Sequence, residues 1–508
     1  MDQQRATTAL KSMKLLRTAH PLRFERVANI PGNCALFGLL TIFAIFAAGC
    51  TVGPRYRRPV TTIQPFHNAP SIESRQAILP AAPQLDTWWT GFNDRELIRI
   101  VERVIDQNLD LAESLARVEQ ARAAAKEADA RLKPSGSLTA QSDTFRQSLE
   151  SPTGRYVGAS PGYSRNQSYL SLGLEASWEV DLFGGLRRDV EAARAEAQAA
   201  EAERLGVRVS VVAEAADAYM QIRGTQVRLN VAKEQIATDE HLLALVSQRS
   251  AAGVASDREL AQAEALLSQA KATLPPLAII LEAQLNRLDV LMGVQAGTYA
   301  TELKVPGEIP SVPSITTTAS ASDLLRRRPD IIAAERRLAA SNARIGQAIG
   351  EYYPKISLSG LLGSEAISPG VLFREKGFQP GAVAGLQWRL FDFGRVDAEV
   401  KQAKGANAEA LLQYRSSVLR ATEDVEDSFS LLAQSEVRRD EIVIEIGALR
   451  RAKDRSQEAY QAGVIGLTDV LDADRQLLVA RDDLALTEEA AARAAVGSFR
   501  ALGGGWTP

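Results

Sequence analysis

From Tyr169 to Asp181 the chain reads YLSLGLEASWEVD, in which Leu170, Leu172, Leu174, Ala176, Trp178 and Val180 alternate with Ser171, Gly173, Glu175, Ser177 and Glu179. Strict alternation at period two predicts a strand with one apolar face and one wet face. Gly381–Asp392 repeats it, with Ala384, Leu386, Trp388 and Leu390 set against Gly385, Gln387 and Arg389. Weaker partner strands follow Pro134 and Pro354, over Ser137–Arg146 and Lys355–Leu361. Such strands suit either a soluble sandwich hairpin or a transmembrane barrel whose apolar face meets lipid. In a barrel, Leu170, Leu172, Leu174, Trp178, Leu386, Trp388 and Leu390 form the lipid face, and Glu175, Glu179 and Arg389 line the lumen.

A second periodicity fills most of the remaining chain. From Gly185 to about Ser250 there is no proline, and alanine, glutamate and arginine dominate, all good helix formers. Leu205, Val209, Val212, Ala216 and Tyr219 step by four and three, and Val418, Thr422, Val425, Phe429 and Leu432 repeat the steps. Leu260, Ala263, Leu267, Ala270, Leu274, Leu277 and Leu281 continue at heptad spacing. Heptads predict helices packed along one seam as in coiled coils. A helix of roughly 65 residues would be about 100 Å long at 1.5 Å per residue. Pro275 and Pro276 should kink the first return helix, whereas the corresponding Ala485 and Leu486 should leave the second unbroken.

The two patterns recur together. WEVDLFG (Trp178–Gly184) matches WRLFDFG (Trp388–Gly394) at an offset of 210, which also places Val190 on Val400 and Ala252-Gly253-Val254 on Ala462-Gly463-Val464. Upstream the offset is 220, setting Asp110 on Asp330 and Pro134 on Pro354. The chain is therefore a tandem duplication. Its divisions read as 1–49 signal peptide, 50–93 N-terminal segment, 94–303 first repeat, 304–322 linker and 323–508 second repeat. The strand pairs fall at about 136–181 and 355–392, and Gly253 and Gly463 mark helix-hairpin tips. Four strands cannot close a barrel, and open edges are not tolerated in lipid. Several chains must contribute; three would supply about twelve strands.

The first fifty residues and the composition narrow the setting. Lys11, Lys14, Arg17, Arg23 and Arg26 precede the apolar run ALFGLLTIFAIFA (Ala35–Ala47) and then AAGC, ending at Cys50. Basic flank, short apolar run and small-residue site form the order of an export signal, with Met13 an alternative start. AAGC resembles a bacterial lipobox, with Ala47 where leucine is commoner. Cys50 would then be the lipidated first residue, and Thr51 after it implies the outer membrane. The net charge of −3 carries no basic block, which argues against nucleic acid as a partner. Three histidines and two cysteines leave little from which to build a metal or nucleophile site. The chain reads as a non-enzyme with no cofactor beyond the lipid.

CTVGPRYRRP (Cys50–Pro59), WWTGFND (Trp88–Asp94), RRRPDIIAAERRLAASNARIGQA (Arg326–Ala348), WRLFDFGR (Trp388–Arg395) and YQAGVIGLTDVLDADRQL (Tyr460–Leu477) resemble the outer membrane factor family, the TolC-like exit ducts. The likeness is greatest to its lipoprotein branch of OprM and NodT type. It covers essentially the whole mature chain. It implies a mainly α fold with a membrane β portion: a homotrimer whose twelve-stranded barrel, four strands per chain, continues as a long coiled-coil tunnel through the periplasm. It implies as partners a periplasmic adaptor and an inner-membrane pump of the resistance-nodulation-division class, and outer membrane lipid. The implied function is passive export of small toxic compounds. A type I protein-secretion duct has the same architecture, and a pore-less coiled-coil envelope lipoprotein is a further alternative.

The resemblance sets the hairpin tips at the closed periplasmic end. Asp472 and Arg475 match positions that line or latch that aperture, and Asp469, Asp474, Thr468 and Leu467 surround them. Three copies of Asp472 would form a carboxylate ring that favours cations, and an aspartate-arginine link between neighbouring helices would hold the closed state. Thr468 stands where a relative has an apolar constriction residue, with Leu467 a substitute. Simple capping also fits: Thr468 can cap the restarting helix through its hydroxyl, Asp469 suits the helix dipole, and Ser256–Glu259 at the first tip is a capping-box pattern. Arg326-Arg327-Arg328 reads as a solvated stretch before a helix opening at Pro329. Trp88 and Trp89 read as packing of the N-terminal segment on the tunnel wall.

Overall fold

The computed structural model describes residues 51–60, 63–76, 82–315 and 321–507. The export signal and Cys50 lie outside them.

Two helices of 67 residues dominate, α5 (Gly185–Ala251) and α11 (Arg395–Gln461), and the 210-residue offset maps one onto the other end to end. Before them run α1 (Ala69–Gln76), α2 (Arg95–Gln107), α3 (Leu109–Arg131) and, between two strands, the short α4 (Pro152–Val157). The return from the first tip is α6 (Asp257–Ala272) and α7 (Leu274–Leu291), divided at Thr273, with the two prolines in the first turn of α7. After α8 (Ala300–Leu303), α9 (Ala321–Arg326) and α10 (Pro329–Gly350), the second return, α12 (Leu467–Ala501), runs unbroken for 35 residues.

Strands β1 (Ser135–Arg146), β2 (Asn166–Val180), β3 (Lys355–Ala366) and β4 (Phe378–Gln387) form one antiparallel sheet in that order. The register sets even-numbered residues opposite even-numbered ones throughout, for example Leu138 with Leu174, Leu174 with Leu362, and Ile356 with Leu386. One face therefore carries Leu170, Leu172, Leu174, Trp178 and Leu386 together, and the other carries Ser171, Glu175, Ser357 and Gln387. The offset changes from 220 to 210 across the loops, because residues 147–165 join β1 to β2 while the shorter 367–377 joins β3 to β4.

The strand limits differ from the sequence reading: β1 begins at Ser135, β2 at Asn166 and β4 at Phe378, each two or three residues earlier than expected, and two ends differ by more. β3 continues past Leu361 to Ala366, paired with both neighbours to Ser364 and with β2 alone at Glu365 and Ala366. β4 stops at Gln387, so Trp388, Arg389 and Leu390 lie beyond it. Their counterparts Trp178, Glu179 and Val180 remain in β2 because β3 pairs with them, and within one chain β4 has no neighbour on that side.

Each strand turns into its long helix at a corner built the same way. Trp178 and Trp388 donate their indole N–H to the carbonyls of Leu132 (2.9 Å) and Tyr352 (3.0 Å), ahead of the adjoining strand. Asp181 accepts from the backbone N–H groups of Leu186 and Arg187, and Asp392 from those of Gly394 and Val396, which caps α5 and α11. The main core draws on both repeats, with Trp88, Phe92 and Leu97 against Tyr219, Phe429 and Phe499. Trp88 stacks on Phe499 at 5.2 Å, so the tryptophan pair anchors the N-terminal segment as expected. Arg328 is a correction: it is largely buried, not solvated. It pairs with Asp330 and Asp424 and donates to the carbonyls of Ala421 and Ala501, fastening α10 to α11 and α12.

Candidate functional site

Both hairpin tips end their first helix identically. Gly253 and Gly463 adopt φ of +72° and +73°, the left-handed conformation that a side chain resists. The next N–H, of Val254 or Val464, reaches back to the carbonyl of Arg249 (2.8 Å) or Ala459 (2.9 Å). The restarts differ. α6 opens with a complete capping box, Ser256 and Glu259 each satisfying the other's backbone N–H. α12 begins two residues earlier than the capping argument required: Gly466, not Thr468, is its N-cap, and Asp469 reaches back to the Gly466 N–H at 3.3 Å. Thr468 is inside the first turn and exposed, so it is not the cap.

The six tip residues separate onto two faces of α12. Leu467 is buried with Val246, Ala263, Tyr460 and Val470 in a small apolar cluster, so it serves the tip's own core and is not a free constriction residue. Thr468, Asp472, Arg475 and Val479 are exposed, and their four-three-four spacing makes them one stripe. Asp472 accepts from Arg475 (3.2 Å) and from Gln476 (2.6 Å) on the same helix. Within the chain this pair is therefore intrahelical, in contrast to the link between neighbouring helices that the sequence suggested.

Asp474 faces the opposite way. It is 3% exposed and occupies the heptad position between Val470 and Leu477. Gln235 of α5 donates to it, and Lys453 of α11 forms an ion pair with it. Gln235 also donates to Asp239 at 2.8 Å, and Asp239 is 1% exposed. The second carboxylate oxygen of Asp239 has no partner. Burial pushes the Asp239 carboxyl up to about 6; the Gln235 hydrogen bond opposes this, nearby Asp474 adds to it and Lys453 opposes it. The sequence reading missed Gln235, Asp239 and Lys453. The available signal was an acid at a core heptad position of both α5 and α12.

This polar layer lies on the seam where the first hairpin meets the second. Along the same seam Asp217 pairs with Arg493 (2.7 Å), Arg228 with Asp482 (2.7 Å) and Glu234 with Arg481 (2.6 Å). Among the described residues no group of three or more His, Cys, Asp or Glu side chains could hold a metal. No described helix is long and apolar enough to cross a membrane.

The outer membrane efflux protein family model matches residues 100–294 and 320–504, both repeats. The chain belongs to that family. The pyoverdine export outer membrane protein OpmQ of Pseudomonas aeruginosa is 33% identical over 430 residues, covering 84% of this chain and 88% of OpmQ. Outer membrane protein OprJ of the same organism is 30% identical over 474 residues, covering 92% of this chain and 95% of OprJ. The solved structure of the outer-membrane channel OprN aligns with a TM-score of 0.82 at 32% identity, over 90% of this chain and all of that one. This family member is thus an outer membrane efflux protein, and its relatives are channels.

Proposed function

We propose that this protein is the exit duct of a tripartite efflux system, assembled as a homotrimer and fed by an inner-membrane pump through a periplasmic adaptor. The observation that carries the reading is a sheet with one apolar and one polar face and two unpaired edges, continuous with helices of 67 residues. Edges cannot stay open in lipid, so closure with further copies makes a barrel whose polar face encloses a channel, and the helices extend that channel towards the pump. Leu170, Leu172, Leu174, Trp178 and Leu386 face lipid, joined by Trp388 and Leu390 once β4 gains a partner. Cys50 carries the lipid anchor, and Asp472 and Arg475 with their neighbours on the exposed stripe border the periplasmic aperture. The duct conducts and gates without catalysing a reaction, and the pump is of the resistance-nodulation-division class.

Deletion of the gene tests the reading. The deleted strain should become more sensitive to a subset of antibiotics, detergents, metals or phenolics, and the intact gene should restore resistance. If no compound becomes more toxic and a secreted protein disappears instead, the protein is a type I secretion duct.

A further inference from the structure

We propose that the Gln235–Asp239–Asp474–Lys453 layer is a proton-operated latch that holds the second helical hairpin against the first when the tip is closed. The proposal rests on reading the tip as the gated end of the duct. Its geometry is that of a polar layer inside a coiled-coil seam: Val246 and Val470 pack on the tip side, and Ile442, Ile446 and Leu477 on the other. Two carboxylates are enclosed there beside the half-buried Lys453, and one oxygen of Asp239 is left unsatisfied. That imbalance is costly in a closed seam and is relieved either by separating the helices or by adding a proton.

The duplication supplies an internal control. At the 210 offset Asp239 corresponds to Leu449 and Lys453 to Leu243, and both leucines pack into apolar clusters. An aliphatic solution therefore fits this position of the fold. Asp239 and Lys453 thus stand where the other repeat carries leucine, whereas Asp474 corresponds to Glu264, so packing alone does not require an acid at 239.

The charged groups facing Asp239 are Asp474 from α12 and Lys453 from α11; Glu240, next to it, pairs outward with Lys271 of α6. Because Asp239 holds its proton up to about 6 in the packed seam, and an exposed aspartate releases it near 3.8, acid favours the packed state. The gain appears as pH falls through 6 and is complete only below 3.8. Between pH 7.5 and pH 5 the closed-to-open ratio should rise about tenfold.

Hydrogen exchange on the purified full-length protein, expressed as protection factors so that intrinsic pH dependence is removed, reads the seam directly. Protection of residues 470–477 should rise about tenfold from pH 7.5 to pH 5 in the wild type. Asp239→Asn should show high protection at both values, and Glu240→Gln should keep the wild-type step. A wild type with no step, or a step that survives Asp239→Asn, overturns the latch. Conductance in planar bilayers should fall with acid over the same range. Protein that conducts at no pH would defeat the duct reading, while exchange would still decide the latch.

Discussion

Asp472 and Arg475 are joined by one 3.2 Å contact and are both more than half exposed. Such i,i+3 pairs contribute less than about 0.5 kcal/mol to stability, so removing them should leave the fold intact. That makes them a clean test of a gate. Asp472→Ala with Arg475→Ala should raise single-channel conductance and reduce cation preference, read from reversal potentials, because a ring of carboxylates is lost. The thermal midpoint should hardly move. If the double variant conducts no better than wild type, these residues do not hold the aperture. Asp474, two residues from Asp472, belongs to a different experiment because it faces the opposite side of the helix.

At the scale of elements, most of the architecture could be read from the sequence, because a regular element repeats its constraint many times along the chain. The 67-residue helices, the alternating faces of β2 and the AGV tips all have this redundancy. What escaped depended on single contacts between distant segments. Thr468 looked like a cap, but the helix starts at Leu467 and Asp469 does the capping. Arg328 looked solvated because its partners Asp424 and Ala501 are far away in sequence. Asp239 and Lys453 were invisible singly and acquire meaning only when α5, α11 and α12 meet. That meeting also makes a stability prediction. Lys453→Met leaves Asp474 buried without its cation and should cost on the order of 2 kcal/mol, moderated because the Lys453 side chain is 23% exposed. Combining Lys453→Met with Asp239→Leu and Asp474→Leu should recover most of that loss, since a buried ionic group is often replaceable by aliphatic packing. Chemical denaturation of the assembled protein would compare them, and a triple variant weaker than the single one would refute the argument.

At the scale of the whole molecule, the duplication fixes how one copy must meet the next. β2 and β3 pair across the boundary between repeats, with Ser177 opposite Ser359 and Trp178 opposite Leu358. Moving β2 forward by 210 and β3 back by 220 converts that register into β4 against β1 of the next copy. Gln387 then faces Thr139 of the next copy, and Trp388 faces its Leu138. The pairing gives Trp388 and Leu390 the strand partner that they lack within one chain. It also accounts for Phe393, which is fully exposed here, whereas its counterpart Phe183 stacks on Tyr353 of the other repeat at 4.5 Å. Directly opposed positions in an antiparallel pair lie about 4.5–5.5 Å apart, close enough for a disulfide. Gln387→Cys with Thr139→Cys should therefore cross-link spontaneously in isolated outer membranes, giving bands of two and three chains that collapse under reductant. Gln387→Cys with Asp143→Cys, four residues out of register and on the same face, should not. Bands extending past three chains would exclude a closed ring of three. Cross-linking of the out-of-register pair alone would show that the symmetry between the repeats stops at the edge of the single chain.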